Sequence, residues 1–268
     1  MRDDPFESEE HGPEFDHPKH PGPIFRYLMF SQQRSGSSWL ARRLINLGIF
    51  GVPAEYLNPE ISVRFAQRIG CPTDVTNDVV SIKFYSYLGA VEDIRTSPAG
   101  RFGLKVQPNQ ILPVFNDDLN AVTTFLKGYH ALIVLTCSDK LRQAVSGAIA
   151  DLTGHWRSDG KEPDLAGVPW LPLMGDIATK LARYILEDQQ MAVVCQASRR
   201  PVLYLTYEQM VADPDGTLER VVRHLGHDGP VSTIAKTNAI RVPHPRPGHA
   251  HAEVQRQFLN YIGGNKSN

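Results

Sequence analysis

The residues with the densest capacity for chemistry stand together at Ser31-Gln32-Gln33-Arg34-Ser35-Gly36-Ser37-Ser38-Trp39. A cation, a glycine and several hydroxyls in one turn suit an anion. Gly36 lets a ligand approach the backbone, Ser35, Ser37 and Ser38 can donate to its oxygens, and Arg34 supplies a fixed charge. The apolar run Tyr27-Leu28-Met29-Phe30 precedes the turn, and Leu40, Leu44 and Leu47 follow it at helical spacing up to Gly48. The stretch reads as strand, phosphate loop and helix, with the amides and dipole of the helix N-terminus facing the loop. A triphosphate loop needs Gly-x-x-x-x-Gly-Lys-Ser/Thr. That spacing is missing here, which weighs against a nucleotide-dependent kinase.

Further candidates lie downstream. Glu55 stands between the breaks Gly51-Val52-Pro53 and Asn58-Pro59 with apolar neighbours, a setting for a general base held near the loop. Lys105 closes the strand pattern that starts at Arg101, either as an active-site cation or as a strand-edge lysine facing water. Ala131 to Thr136 is the strongest buried-strand signal and belongs at the sheet centre. Asp139 then caps a helix with Leu141, Val145, Ala148 and Leu152 on its core face, leaving Arg142 and Ser146 one turn apart on another. Pro201 to Thr206 reads as a further buried strand, and Tyr207 opens the helical stretch after it. Alternating strands and helices of this kind predict an α/β domain with a mainly parallel sheet flanked by helices on both faces.

Several of these segments resemble one family. Arg34-Ser35-Gly36-Ser37-Ser38 is similar to the 5'-phosphosulfate loop of sulfotransferases, and the Gln-Arg-Ser-Gly-Ser form resembles the Stf-zero (trehalose 2-sulfotransferase-like) type. Gly51, Pro53, Glu55 and Tyr56 match in order a family motif whose Glu is regarded as the general base. Phe102-Gly103-Leu104-Lys105 resembles a Gly-x-Lys pattern beside the transferred group; Gln107 stands where cytosolic sulfotransferases carry a basic His and cannot take a proton. Asp139 to Ser146 resembles Asp-x-x-x-Gln-Ala-Val-Ser, whose Ser contacts the donor's 3'-phosphate. Relatives carry an Arg two residues before that Asp, and here it is Cys137, so the resemblance leaves a charge for Arg142, Arg241 or Arg246 to supply. Tyr207-Glu208 resembles an element whose Tyr approaches the adenine, on which Trp39 would stack. Trp156 lies in a pattern associated with the acceptor pocket.

The resemblance implies a P-loop-like sulfotransferase fold and sulfuryl transfer from 3'-phosphoadenylyl sulfate (PAPS), yielding PAP, to a hydroxyl or amine of a small-molecule acceptor such as a sugar or other metabolite. It assigns Glu55, Lys105 and Arg34 to catalysis and needs no metal. Relatives form dimers, so a homodimer is the assembly it allows. A catalytically silent phosphoadenosine-binding protein is the alternative that Cys137 keeps open.

Composition bounds the remainder. The chain has 268 residues, is 41% hydrophobic and carries a net charge of -1, as expected for a globular domain that targets neither nucleic acid nor a membrane surface. No apolar run has the length of a membrane span and the start lacks a secretory pattern, so a cytoplasmic location is expected. Cys71, Cys137 and Cys195 have neither zinc nor disulfide spacing. The histidines at 11, 17, 20, 244, 249 and 251 lack the accompanying thiolates of a zinc site. Residues 1–23, acidic and proline-rich without apolar periodicity, read as a flexible or loosely docked arm, and 24–268 as one sulfotransferase domain.

Overall fold

The computed structural model describes residues 9–76, 79–154, 156, 165, 167–234 and 249–263. Strand β1 (Phe25–Ser31) runs into α1 (Ser37–Asn46), and α2 (Pro59–Arg68) follows the segment that carries Glu55. A hairpin of β2 (Thr73–Thr76) and β3 (Val79–Ile82) leads to α3 (Phe84–Arg95) and β4 (Arg101–Val106). After α4 (Pro108–Ile111) and α5 (Leu119–Leu126), β5 (Ala131–Thr136) feeds α6 (Lys140–Thr153). The long α7 (Trp170–Ser198) precedes β6 (Val202–Thr206), α8 (Tyr207–Ala212), α9 (Pro214–His224) and α10 (His249–Ile262).

The main sheet has the order β4-β1-β5-β6, with every pairing parallel. Met29 is in register with both Lys105 and Ile133, and Thr136 with Thr206, so the phosphate loop, Lys105 and Cys137 all emerge at one edge. That carboxyl edge is where open α/β sheets place ligands. Strand β1 is buried on both faces because its alternation splits two cores. Leu28 and Phe30 join Phe65, Val91, Leu104 and Leu126 on one side, while Tyr27 and Met29 join Leu40, Leu44, Val221 and Leu225 on the other.

Several expectations are corrected. Strand β6 is an edge strand with Tyr204 half-exposed, and only Leu205 of the strand is buried. On α6, Leu152 faces solvent, and Gly147 takes its place at the packed face because Tyr184 and Lys180 of α7 press on it. Helix α7 takes Pro172 into its first turn, where a missing amide hydrogen costs nothing. Within the expected arm, residues 9–23 lie against the domain, with Glu10, His11 and Phe15 buried. Polar pairing rather than apolar periodicity holds them there. Arg42 meets Glu10 at 2.7 Å and Arg68 grips Asp16 with two hydrogen bonds.

Candidate active site

The loop between β1 and α1 is bent by two residues with positive φ, Arg34 at 61° and Gly36 at 81°. Gly36 is the N-cap and has no side chain to satisfy the first helical amides, so these and the dipole stay available to an anion. A Cβ at Gly36 would meet Met210 Cε at 2.3 Å and the Tyr207 ring at 3.0 Å, so only glycine fits. The bend at Arg34 is held from outside. Gln143 Nε2 donates to the Gln33 carbonyl at 2.8 Å and to Gln32 Oε1 at 3.2 Å, and the Cys137 thiol donates to the Arg34 carbonyl at 3.5 Å. Ser35 turns inward and donates to the Gln32 carbonyl at 2.7 Å, so its hydroxyl shapes the loop instead of facing a ligand, as had been expected. Ser37 is buried and Ser38 exposed at the mouth.

Beside the loop, Ala54 forms a parallel bridge with Leu104 and accepts the Lys105 amide at 3.2 Å, which fixes Glu55 alongside Lys105. Lys105 Nζ is 3.0 Å from Glu55 Oε1 and donates to Ser38 Oγ at 3.2 Å. The lysine is 6% exposed, so it is not a strand-edge cation in water. Glu55 Oε2 accepts from Gln107 Nε2 at 2.9 Å and Gln110 Nε2 at 2.7 Å, and both amides are oriented by the capping box that starts α4. Burial pushes the Glu55 carboxyl up, but the Lys105 charge and the amide hydrogen bonds outweigh it, leaving the group below the ordinary carboxylate range.

On the other flank, Arg34 Nε donates to Ser146 Oγ at 2.9 Å and Nη1 to the Trp156 carbonyl at 2.5 Å. The loop cation therefore joins α6 and the segment after it. Arg142, on the same helix, stands near enough to Tyr207 and Cys137 for its charge to stabilise their ionised forms, although burial keeps both groups above their ordinary values. Cys137 is pushed up to about 12 and is a neutral thiol. Glu208 accepts the amides of Ser138 and Asp139 at 3.0 and 3.2 Å, closing the turn that follows β5. Tyr207 packs on Gly36, within the site. Trp39 does not offer a free ring: it is buried in the core under the Arg43 guanidinium, 5.2 Å from its centroid, which corrects the stacking role. Arg241 and Arg246 lie outside the described residues.

Gln32, Gln33, Gln143, Gln110 and Glu208 are site residues that sequence reasoning left without a part. Gln143 and Glu208 stood inside quoted motifs, and the Gln107-x-x-Gln110 spacing behind Pro108 was a cap signal that could have placed the other amide. The family model of the Stf0 sulphotransferases matches residues 26–244, a span that contains the loop, Glu55, Lys105, Ser146 and Tyr207. The chain belongs to the Stf0 sulphotransferase family. As a Stf0 sulphotransferase it is an enzyme of PAPS-dependent sulfuryl transfer, and neither the kinase nor the silent-binder reading is retained. No curated protein matches the chain. Among solved structures it is similar to a retinol dehydratase in a complex with retinol and PAP, with 13% identity, a TM-score of 0.41, and coverage of 93% of this chain and 83% of that one. Such a distant likeness assigns no residue of the Stf0 sulphotransferase described here. Among its described residues no helix is long and apolar enough to cross a membrane, and no group of three His, Cys, Asp or Glu could hold a metal ion.

Proposed function

We propose that this Stf0 sulphotransferase moves the sulfuryl group of PAPS to a hydroxyl or amine of a small-molecule acceptor with Glu55 as general base. The observation that carries the reading is the continuous contact from Ser38 through Lys105 to Glu55, which sets a carboxylate and a cation at the mouth of the phosphate loop. The residues fit the donor. The uncapped start of α1 and the space kept by Gly36 suit the 5'-phosphosulfate, while Arg34 and Ser146, already paired, suit the 3'-phosphate with Arg142 beside them. Tyr207 flanks the same loop and suits the adenine.

As the acceptor oxygen forms its bond to sulfur, Glu55 takes the hydroxyl proton. The electron pair of the breaking sulfur–oxygen bond stays on the departing phosphate, where Lys105 balances it. The low Glu55 pKa keeps the base ionised at neutral pH, and drawing Lys105 toward the phosphate removes the counter-charge that lowers it, raising basicity at the step that needs it. Glu55→Gln preserves size and hydrogen bonding. It should reduce kcat about a hundredfold or more while leaving PAP affinity unchanged. Near-normal turnover of a hydroxyl acceptor would overturn the assignment.

A further inference from the structure

Residues 10–16 form a strap that touches the two halves of the site at once. Its side-chain link runs to α1, where Arg42 Nε meets Glu10 Oε1 at 2.7 Å, and α1 is the helix whose start forms the anion cradle. Its backbone link runs to α3. The fully buried Arg95 donates to the carbonyls of Glu10, His11 and Gly12 at 3.2, 3.3 and 3.0 Å and reaches Asp16 at 3.1 Å. Three carbonyls and a carboxylate around one guanidinium hold the strap by its main chain, which makes the grip insensitive to most of its side chains.

The inner face of the strap is the outer wall of the Glu55 segment. His11 packs edge-on to Tyr56, with centroids 5.9 Å apart, and to Phe65 at 6.1 Å, while Phe15 clusters with Ile45 and Val52. Tyr56 is the next residue after Glu55, is fully buried, and donates to the Val52 carbonyl at 2.8 Å. Gly51 bends with φ 73° where a Cβ would strike the Arg95 carbonyl at 2.8 Å, and Val52 donates its amide to that same carbonyl at 3.3 Å. Arg95 thus holds the strap with its side chain and the base-bearing segment with its main chain. The charge of Lys105 reaches both Glu10 and His11.

We propose that residues 10–16 are a positioning element of the active centre, in which the His11 ring, clamped through Arg95 and Arg42, fixes Tyr56 and so holds the Glu55 carboxylate against Lys105. The proposal deepens the general-base reading but makes a statement about geometry that can be tested apart from it. His11 is a positioning residue: its ring meets Tyr56, and the chemistry is done one residue away.

The test is the carboxyl titration of Glu55 by carbon NMR in the full chain, the resonance being identified by its loss in Glu55→Gln. Removing the ring with His11→Ala should loosen the ion pair and move the Glu55 midpoint up toward the ordinary carboxylate range. His11→Phe, which refills the space against Tyr56 and Phe65, should return it. On the same samples kcat should fall about tenfold in His11→Ala with PAP affinity within twofold of wild type, and recover in His11→Phe. An unmoved Glu55 midpoint in His11→Ala, or a midpoint that stays shifted in His11→Phe, overturns the proposal. Should the alanine variant not fold, His11→Val removes the ring with less loss of volume and carries the same readings. Normal turnover in Glu55→Gln would sink the base assignment alone, since the midpoint still reports whether the strap holds the carboxylate.

Discussion

The Cys137 thiol donates to the carbonyl of Arg34, so the residue that follows β5 braces the one residue other than glycine that bends the phosphate loop. In the motif that this segment resembles, an arginine stands at that position. Here a neutral side chain supports the neighbouring cation and does not supply a charge itself. Cys137→Ser keeps a donor and should bind PAP as the parent does. Cys137→Ala removes it and should weaken PAP about threefold by calorimetry, the scale of one weak hydrogen bond. Being buried, with their thiols pushed up to about 12, Cys137 and Cys195 should both resist iodoacetamide at pH 8 in the folded protein.

Arg34 and Ser146 act as one unit if their 2.9 Å contact is the seat of the 3'-phosphate. Arg34→Ala is expected to lower PAP affinity roughly 10- to 100-fold and Ser146→Ala about fivefold. The double variant should lose less than the product of the two, because each change already breaks the shared contact. Affinity for ADP, which has no 3'-phosphate, should change far less. Additive losses, or equal losses for ADP, would place the 3'-phosphate elsewhere.

Gln107 and Gln110 hold the ionised form of Glu55, so their removal has a definite sign. Losing hydrogen bonds to a carboxylate raises its pKa. In Gln110→Leu, and further in the double variant Gln107→Leu/Gln110→Leu, the acid limb of the kcat/KM profile should move to higher pH. A limb that stays in place would mean that Glu55 is not the group being titrated.

Stability toward acid should carry the signature of the strap. Burial, with Lys105 and Arg95 adding to it against the opposing Glu10 charge, brings His11 down to about 4. A depressed histidine contributes stability that is present above its unfolded pKa near 6.5 and lost as pH falls toward 4, a span worth about 3 kcal/mol. For Glu10, burial acts upward but Arg42 and Lys105 prevail and bring it to about 2, so its contribution is present above the ordinary carboxylate value and lost below it. Urea unfolding of His11→Phe should therefore flatten the loss between pH 6.5 and 4 and leave the steeper fall below 4 in place.

Gly36→Ala tests the loop itself. With φ at 81° and Met210 Cε 2.3 Å from the added methyl, the change should lower Tm by several degrees and PAP affinity more than tenfold. Adding Met210→Ala should restore part of Tm and little of the affinity, because the backbone strain at position 36 remains.

The loop, β5 and the strand β1 were legible because each is a local pattern: a glycine among hydroxyls, an unbroken apolar run, an apolar run that leads into a loop. Lys105 and Glu55 were legible as types, and their meeting required only that β4 and the segment before α2 be neighbours. What surrounds them was not. Arg34 and Ser146 are 112 residues apart, and Gln110 and Glu55 are 55 apart, so no window along the chain contains both members of either pair. The strap was misjudged for a different reason. Its hold is a buried arginine on main-chain carbonyls, and such a grip leaves no hydrophobic period in the sequence that it binds.

The strand order β4-β1-β5-β6 has a consequence for how the protein is made. Strand β1 is the first of the main sheet to leave the ribosome, yet it sits inside that sheet and pairs with β4 on one edge and β5 on the other. Until Arg101 and then Ala131 follow, this strand, with its apolar run Tyr27 to Phe30, has two unsatisfied edges, and the phosphate loop has nothing to hold its bend. Parallel pairing across such separations closes late and slowly, so the nascent chain passes through a long interval in which both edges of this strand are bare. The polar strap that precedes it is already outside the ribosome during that interval, a charged segment attached to a strand with both edges open.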